Sequence, residues 1–264
     1  MRSDRNEIAL LTPQEVKRIL AICSPEGLLV GGQALAFWAD HLQVRRPGPL
    51  ASAVTADADF IGDAALAEKL GKRLGWQTWI PDLDDATPQT GKVTHRLRSG
   101  GVKQVDFLSG VIGLTTKEIS RRAVEMDVPG IGVLRIMHPV DVLDSRIQNL
   151  HLLPEKRTEG GLAQARLAID VARAFVRQQL AARDERAGLR LLERIVEIAR
   201  DIAAIQVFLR YGIDPLEAVP LDDFRTTPAL HKRRWPKIVA EVAGRREKLR
   251  KLTARSGNRN PRRP

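Results

Sequence analysis

Apolar residues at three- and four-residue spacing mark a first helix. Val16, Ile19 and Leu20 follow Thr12-Pro13-Gln14-Glu15. Thr12 can cap, Pro13 suits the first helical position, and Glu15 completes a capping box. Gly27-Leu28-Leu29-Val30 then predicts a short apolar strand that ends in the pair Gly31-Gly32. Residues 33–42 predict a helix with Leu35, Trp38 and Leu42 on one face. Residues 45–53 carry two prolines and a glycine and predict a loop. The alternation over 54–61 predicts a strand, and 64–74 a helix stopped at Gly75. Residues 77–91 have no clear period. Residues 93–98 and 102–108 alternate as a hairpin about Ser99-Gly100-Gly101, and 133–137 predict one more strand.

After His138-Pro139 the strand pattern stops. Residues 140–150, 163–180 and 189–210 predict helices. Pro215, Pro220 and Pro228 loosen the chain after them. A basic helix is predicted over 235–252, with disorder over 256–264. The expected organisation is therefore an α/β (α+β) unit over 1–138, an all-helical unit over 139–230, and a basic helix with a disordered tail over 231–264.

Charge changes the picture only at the C-terminus. The chain has 264 residues and a formal net charge of +11. The last 34 residues hold 13 Lys/Arg and 2 acidic residues, whereas residues 1–230 hold 30 of each sign. The body is neutral and the whole excess sits in the tail. That pattern fits a functional core with an electrostatic arm, for which three readings stand: binding of an RNA backbone, docking to an acidic partner, or a solvated terminus. No apolar run approaches the ~20 residues of a bilayer span, and no signal-peptide pattern opens the chain. A cytoplasmic protein with no membrane partner is expected. The single cysteine, Cys23, excludes an intramolecular disulfide and a thiolate metal cluster.

The chemistry concentrates in two segments. Two glycines between a strand and a helix let backbone N–H groups approach a phosphate at the positive end of the helix dipole. In Thr55-Ala56-Asp57-Ala58-Asp59-Phe60, Asp57 and Asp59 alternate onto one face, with Val54, Ala56, Ala58 and Phe60 on the other. Paired aspartates repel and are poor strand formers, so a divalent cation is the expected reason for them. Asp106, between Val105 and Phe107, falls on the polar face of a later strand. If that strand neighbours the first, three carboxylates converge. They could then hold two metal ions ~4 Å apart for displacement at phosphorus, with Asp106 as a possible base.

These residues resemble the nucleotidyltransferase superfamily. Val30-Gly-Gly-Gln-Ala-Leu-Ala-Phe-Trp-Ala39 and His138-Pro-Val-Asp-Val-Leu-Asp-Ser-Arg146 look more closely like the AbiEii-type toxins of bacterial abortive-infection and toxin–antitoxin systems. The likeness covers roughly residues 10–180. It implies a mixed sheet with flanking helices, followed by a helical domain. It also implies an enzyme that transfers a nucleotide from an NTP with Mg²⁺, two ions being expected, to a hydroxyl such as a tRNA 3′ end. A cognate antitoxin is the implied partner. On this reading Asp57, Asp59 and Asp106 are catalytic and metal-binding, and Gly31, Gly32 and Gln33 hold the nucleotide. Gln33 departs from the Ser or Thr usual after the glycines. Family members carry a later Lys and Asp, for which Arg146, Lys156 and Asp170 are the candidates.

Blander readings stand beside these. Arg146 can pair with Asp141 or Asp144, Lys156 can be solvated, and Asp170 can sit at the surface. Trp38, Trp76 and Trp79 are expected in the core, although Trp79 could stack on a base. His95 is expected to be structural. The alternative function is a protein of the same fold that binds or senses a nucleotide without turnover, or a transferase with a small-molecule or protein acceptor.

Overall fold

The structure is a computed structural model that describes residues 8–51, 54–82, 84–182, 184–225 and 227–257. They fall into two compact units divided between Ser145 and Arg146. The first holds a seven-stranded mixed sheet with flanking helices, and the second is helical.

The first unit opens with helix α1 (Pro13–Cys23), held by the predicted capping box. The Glu15 N–H donates to Thr12 Oγ1 at 3.3 Å, and the Thr12 N–H donates to Glu15 Oε2 at 2.8 Å. Strand β1 (Leu28–Val30) runs straight into helix α2 (Gly31–His41), which starts two residues earlier than its apolar pattern indicates. Strand β2 (Ala58–Ile61) is shorter than the predicted strand over 54–61. Asp57 therefore lies just ahead of it. Ala56 is only half-buried, so the expected apolar face is carried by Val54, Ala58 and Phe60.

Helix α3 (Ala64–Leu74) ends at Gly75, whose φ of 68° makes the left-handed stop. Strand β3 (Gln77–Trp79) forms where no period was legible, because all three of its residues are exposed. Strands β4 (Gln89–Arg96) and β5 (Val102–Leu108) form the hairpin. Helix α4 (Thr116–Arg122) and strand β6 (Val124–Val128) are further elements that the sequence pattern does not predict. Strand β7 (Gly132–Ile136) completes the sheet.

The strand order is β3-β4-β5-β2-β1-β7-β6. Strand β2 pairs antiparallel with β1 and parallel with β5, and β1 pairs parallel with β7. The core is built from Ile19, Leu35, Trp38, Phe60, Leu70 and Phe107, all essentially closed to solvent. The Trp38 indole N–H donates to the Met137 carbonyl at 2.9 Å. Phe60 and Phe107, cross-strand partners, stack with centroids 5.8 Å apart. Cys23 is buried, and burial pushes its thiol up to about 12.

Two of the tryptophans leave the expected core. Trp76 stacks on His95 with centroids 5.3 Å apart, and Trp79 is 43% exposed.

Helix α5 (Pro139–Leu152) contains the division between the units. In the second unit come helices α6 (Glu159–Ala181), α7 (Glu185–Arg200) and α8 (Ile202–Tyr211). The pattern over 189–210 is thus two helices rather than one. Asp201 separates them, because its carboxylate takes the Ala203 N–H at 2.7 Å and caps a new start.

A π turn over Leu230–Arg234 leads into helix α9 (Trp235–Gly257). This helix is longer than expected and includes Ser256 and Gly257. The rest of the predicted disordered tail, residues 258–264, lies outside the described residues. Ile238 and Val242 of α9 are buried. Its Arg246 makes a two-pronged pair with Asp214 and lies over the Phe208 ring at 3.6 Å. Much of the basic segment is therefore part of the folded unit. No helix of the described residues is long and apolar enough to cross a membrane.

Candidate metal centre

Three strands set the site. The parallel pairing of β2 with β5 puts Asp59 directly opposite Asp106. Asp57 alternates onto the same side just before β2. One carboxylate oxygen from each of Asp57, Asp59 and Asp106 lies within 4.8 Å of the others. Asp57 and Asp59 are half-buried, and Asp106 is only 6% exposed. These are hard oxygen donors at a separation that suits a shared divalent cation. The three residues could hold a metal ion.

The antiparallel pairing of β1 with β2 places Val30 opposite Asp59, so Gly31 follows beside it. Gly31 has φ +65°, and a Cβ there would collide with the Asp59 carboxylate. A Cβ on Gly32 would collide with Thr55. The glycine pair is thus required by the approach of α2 to the acidic segment. Val30, the residue ahead of α2, offers no side-chain cap to it.

Further residues, not singled out in the sequence, hold the carboxylates. Thr55 Oγ1 donates to Asp57 Oδ1. Gln89 Nε2 donates to Asp106 Oδ1 at 2.8 Å, and Gln104 Nε2 donates to Asp106 Oδ2. Lys92 Nζ stands 3.8 Å from Asp106 Oδ1. Their signal was available in part. Thr55 and Gln104 each precede an aspartate by two residues, whereas Lys92 meets Asp106 only through the observed hairpin register, which centres on Ser99. Burial raises the Asp106 pKa above the ordinary aspartate value, and the Asp57 charge adds to it. The Gln104 hydrogen bond and the Lys92 charge oppose the rise without cancelling it.

Gln33 and Thr55 line a pocket of about 490 Å³ whose walls include Val16, Phe37 and Arg46. Through Thr55 this pocket adjoins the acidic segment.

The remaining candidates lie in the second unit. Arg146 is buried rather than exposed, and donates to Gln164 Oε1 at 3.0 Å. Asp141, offered as its partner, takes Arg122 Nε at 3.0 Å. Lys156 is exposed on a 3₁₀ turn over Pro154–Lys156. Asp170 is 48% exposed and pairs with Arg173 at 3.0 Å, the arrangement of a surface ion pair. His95 is occupied by Trp76.

No protein-family model matches the chain. No curated protein sequence matches it. Among solved structures it is similar to one described as the crystal structure of JHP933 from Helicobacter pylori. The identity is 13%, the match covers 94% of this chain and 98% of that one, and the TM-score is 0.37.

Proposed function

We propose that the protein is a Mg²⁺-dependent nucleotidyltransferase, which moves an NMP from an NTP onto a hydroxyl acceptor. The observation that carries this reading is the convergence of Asp57, Asp59 and Asp106 within 4.8 Å, beside the glycine-opened start of α2. Divalent cations bound there would supply charge to offset the triphosphate and the reacting oxygens. Asp57 and Asp59 would hold them, and Asp106 would complete the set. The N–H groups at the start of α2 and the Gln33 amide bind phosphate oxygens. The acceptor oxygen bonds to the α-phosphorus as the bond to pyrophosphate breaks. Its proton passes to Asp106, the most buried of the three carboxylates.

The acceptor in this reading is RNA, with a tRNA 3′ end first in line. Exposed cations of the C-terminal segment, among them Lys232, Arg233, Lys237 and Lys248, support it. The resemblance to AbiEii-type toxins supports a toxin role held in check by an antitoxin.

Incubation with each labelled NTP, Mg²⁺ and total RNA tests the proposal. The expected result is a labelled RNA band that Asp57→Asn abolishes. Transfer that survives in that variant overturns the assignment. Gln33, in place of the usual hydroxyl residue, favours the second reading, a nucleotide sensor. In that case NTP binds with Mg²⁺ and no label moves to RNA, protein or small molecule.

A further inference from the structure

One cross-strand row leads away from the metal site. Asp59 pairs with Asp106, Asp106 with Lys92, and Lys92 with Trp79. Directly paired residues project from the same face of a sheet. Trp79 therefore shares its face with the carboxylates, three strand spacings or about 14 Å from Asp59. The opposite face is packed by Leu66, Ala67 and Leu70 of α3 against Val93, Val105 and Phe107.

The next row on the open face is Gln77, Thr94 and Gln104. With Arg96, Ile8 and Val102 these residues line a small pocket of about 230 Å³. Gln104 joins the pocket to the site, because its amide also holds Asp106. Arg96 is exposed and has no ion pair among the described residues. An exposed indole beside amides, a hydroxyl and an unpaired guanidinium is the set that single-stranded nucleic acid uses: a ring to stack on, donors for base edges, and charge for phosphate. A buried core explains Trp38, and His95 explains Trp76. Neither explains an indole 43% exposed on the edge strand.

We propose that Trp79 is a stacking platform for an unpaired base of a single-stranded RNA acceptor. Its strand runs along the row toward Asp106, with a phosphate held by Arg96. The inference rests on the nucleotidyl-transfer reading of the three aspartates and adds where the acceptor lies.

The test is binding of a labelled single-stranded oligoadenylate of about 12 nucleotides, read by fluorescence anisotropy on the full chain, with Mg²⁺-dependent NTP binding measured alongside. Trp79→Ala should weaken oligonucleotide binding by about 5- to 150-fold, the range that loss of one base–aromatic stack produces. Trp79→Phe should restore most of it. Arg96→Gln should lower the slope of log affinity against log salt by about 0.7. NTP binding should be unchanged in all three variants, which touch exposed side chains. Unchanged affinity in Trp79→Ala overturns the proposal. So does a Trp79→Phe variant as weak as Trp79→Ala, equal weakening for a blunt duplex, or no binding by the unmodified protein. Asp57→Asn separates the two readings. If it leaves NTP and metal binding intact, the transfer reading fails, whatever Trp79 does.

Discussion

Asp59 and Asp106 stand directly opposite each other on the adjacent parallel strands β2 and β5. Two carboxylates in that register repel unless a cation or a proton lies between them. The protein supplies Lys92 and two glutamine amides to Asp106. A cation held among the three carboxylates would offset that repulsion.

Asp57→Asn and Asp59→Asn should each lower divalent-cation affinity by more than the about 10–100-fold that loss of an outer-sphere partner costs. Thermal melts with Mg²⁺ or Mn²⁺ check this, because a cation that binds only the folded state raises Tm. The variants should melt at or above the unmodified protein in chelator and gain little from metal. A normal Tm gain in either one would remove that residue from the ligand set.

Asp106 predicts a pH effect. Its raised pKa means that the folded protein holds a proton which the unfolded chain has released. That contribution is fully present below the ordinary aspartate value and is lost as pH rises through the raised one. Without metal, stability should therefore fall as pH rises from about 4. Asp106→Asn should flatten that fall, since Gln89 and Gln104 can turn their amide oxygens to the new NH₂. Metal affinity should show the opposite trend, weakening as pH drops, because the ligand must be deprotonated. Paired melts across pH, with and without Mg²⁺, read both.

Gly31→Ala should damage the site more than the fold. The left-handed φ costs a side chain about 1–2 kcal/mol, and the added Cβ would displace the Asp59 carboxylate. The expected outcome is a modest drop in Tm with a large loss of metal-dependent stabilisation. An unaltered metal response would mean that Asp59 is not a ligand.

The C-terminal segment cannot be cut away at residue 230 to test RNA binding. That truncation removes the buried Ile238 and Val242 and breaks the Arg246–Asp214 pair. Arg246→Gln alone should cost about 1.5–3 kcal/mol, the range for hydrogen bonds to charged groups. Denaturant melts measure this. Neutralising Lys232, Arg233, Lys237, Lys248 and Lys251 spares the pair. It should leave Tm nearly unchanged and shrink the salt dependence of RNA binding by about 0.7 for each phosphate that no longer meets a cation. Unaltered salt dependence would confine RNA binding to the remaining surface.

Features that depend on neighbouring residues were legible before any coordinates. The Thr12–Glu15 capping box, the stop at Gly75, the hairpin about Gly100 and the change from strands to helices near His138 all come from periods and caps that a few residues encode. Asp57 and Asp59 stood out for the same reason, as acids where a strand should avoid them. Strands β3 and β6 were hidden, since β3 is exposed throughout and β6 alternates exposed with half-buried positions, leaving no apolar signal. Pairing across long stretches of chain is different in kind. That β5 lies beside β2, in a register that sets Asp106 against Asp59, is a pairing of segments far apart in sequence. No local pattern encodes it. The same holds for Lys92 and Gln89 around Asp106, for the collision that forces Gly31 to be glycine, and for Asp214 beneath Arg246. Local sequence sets which residues can carry charge or bend the chain. Which of them meet depends on the burial of side chains far apart in sequence.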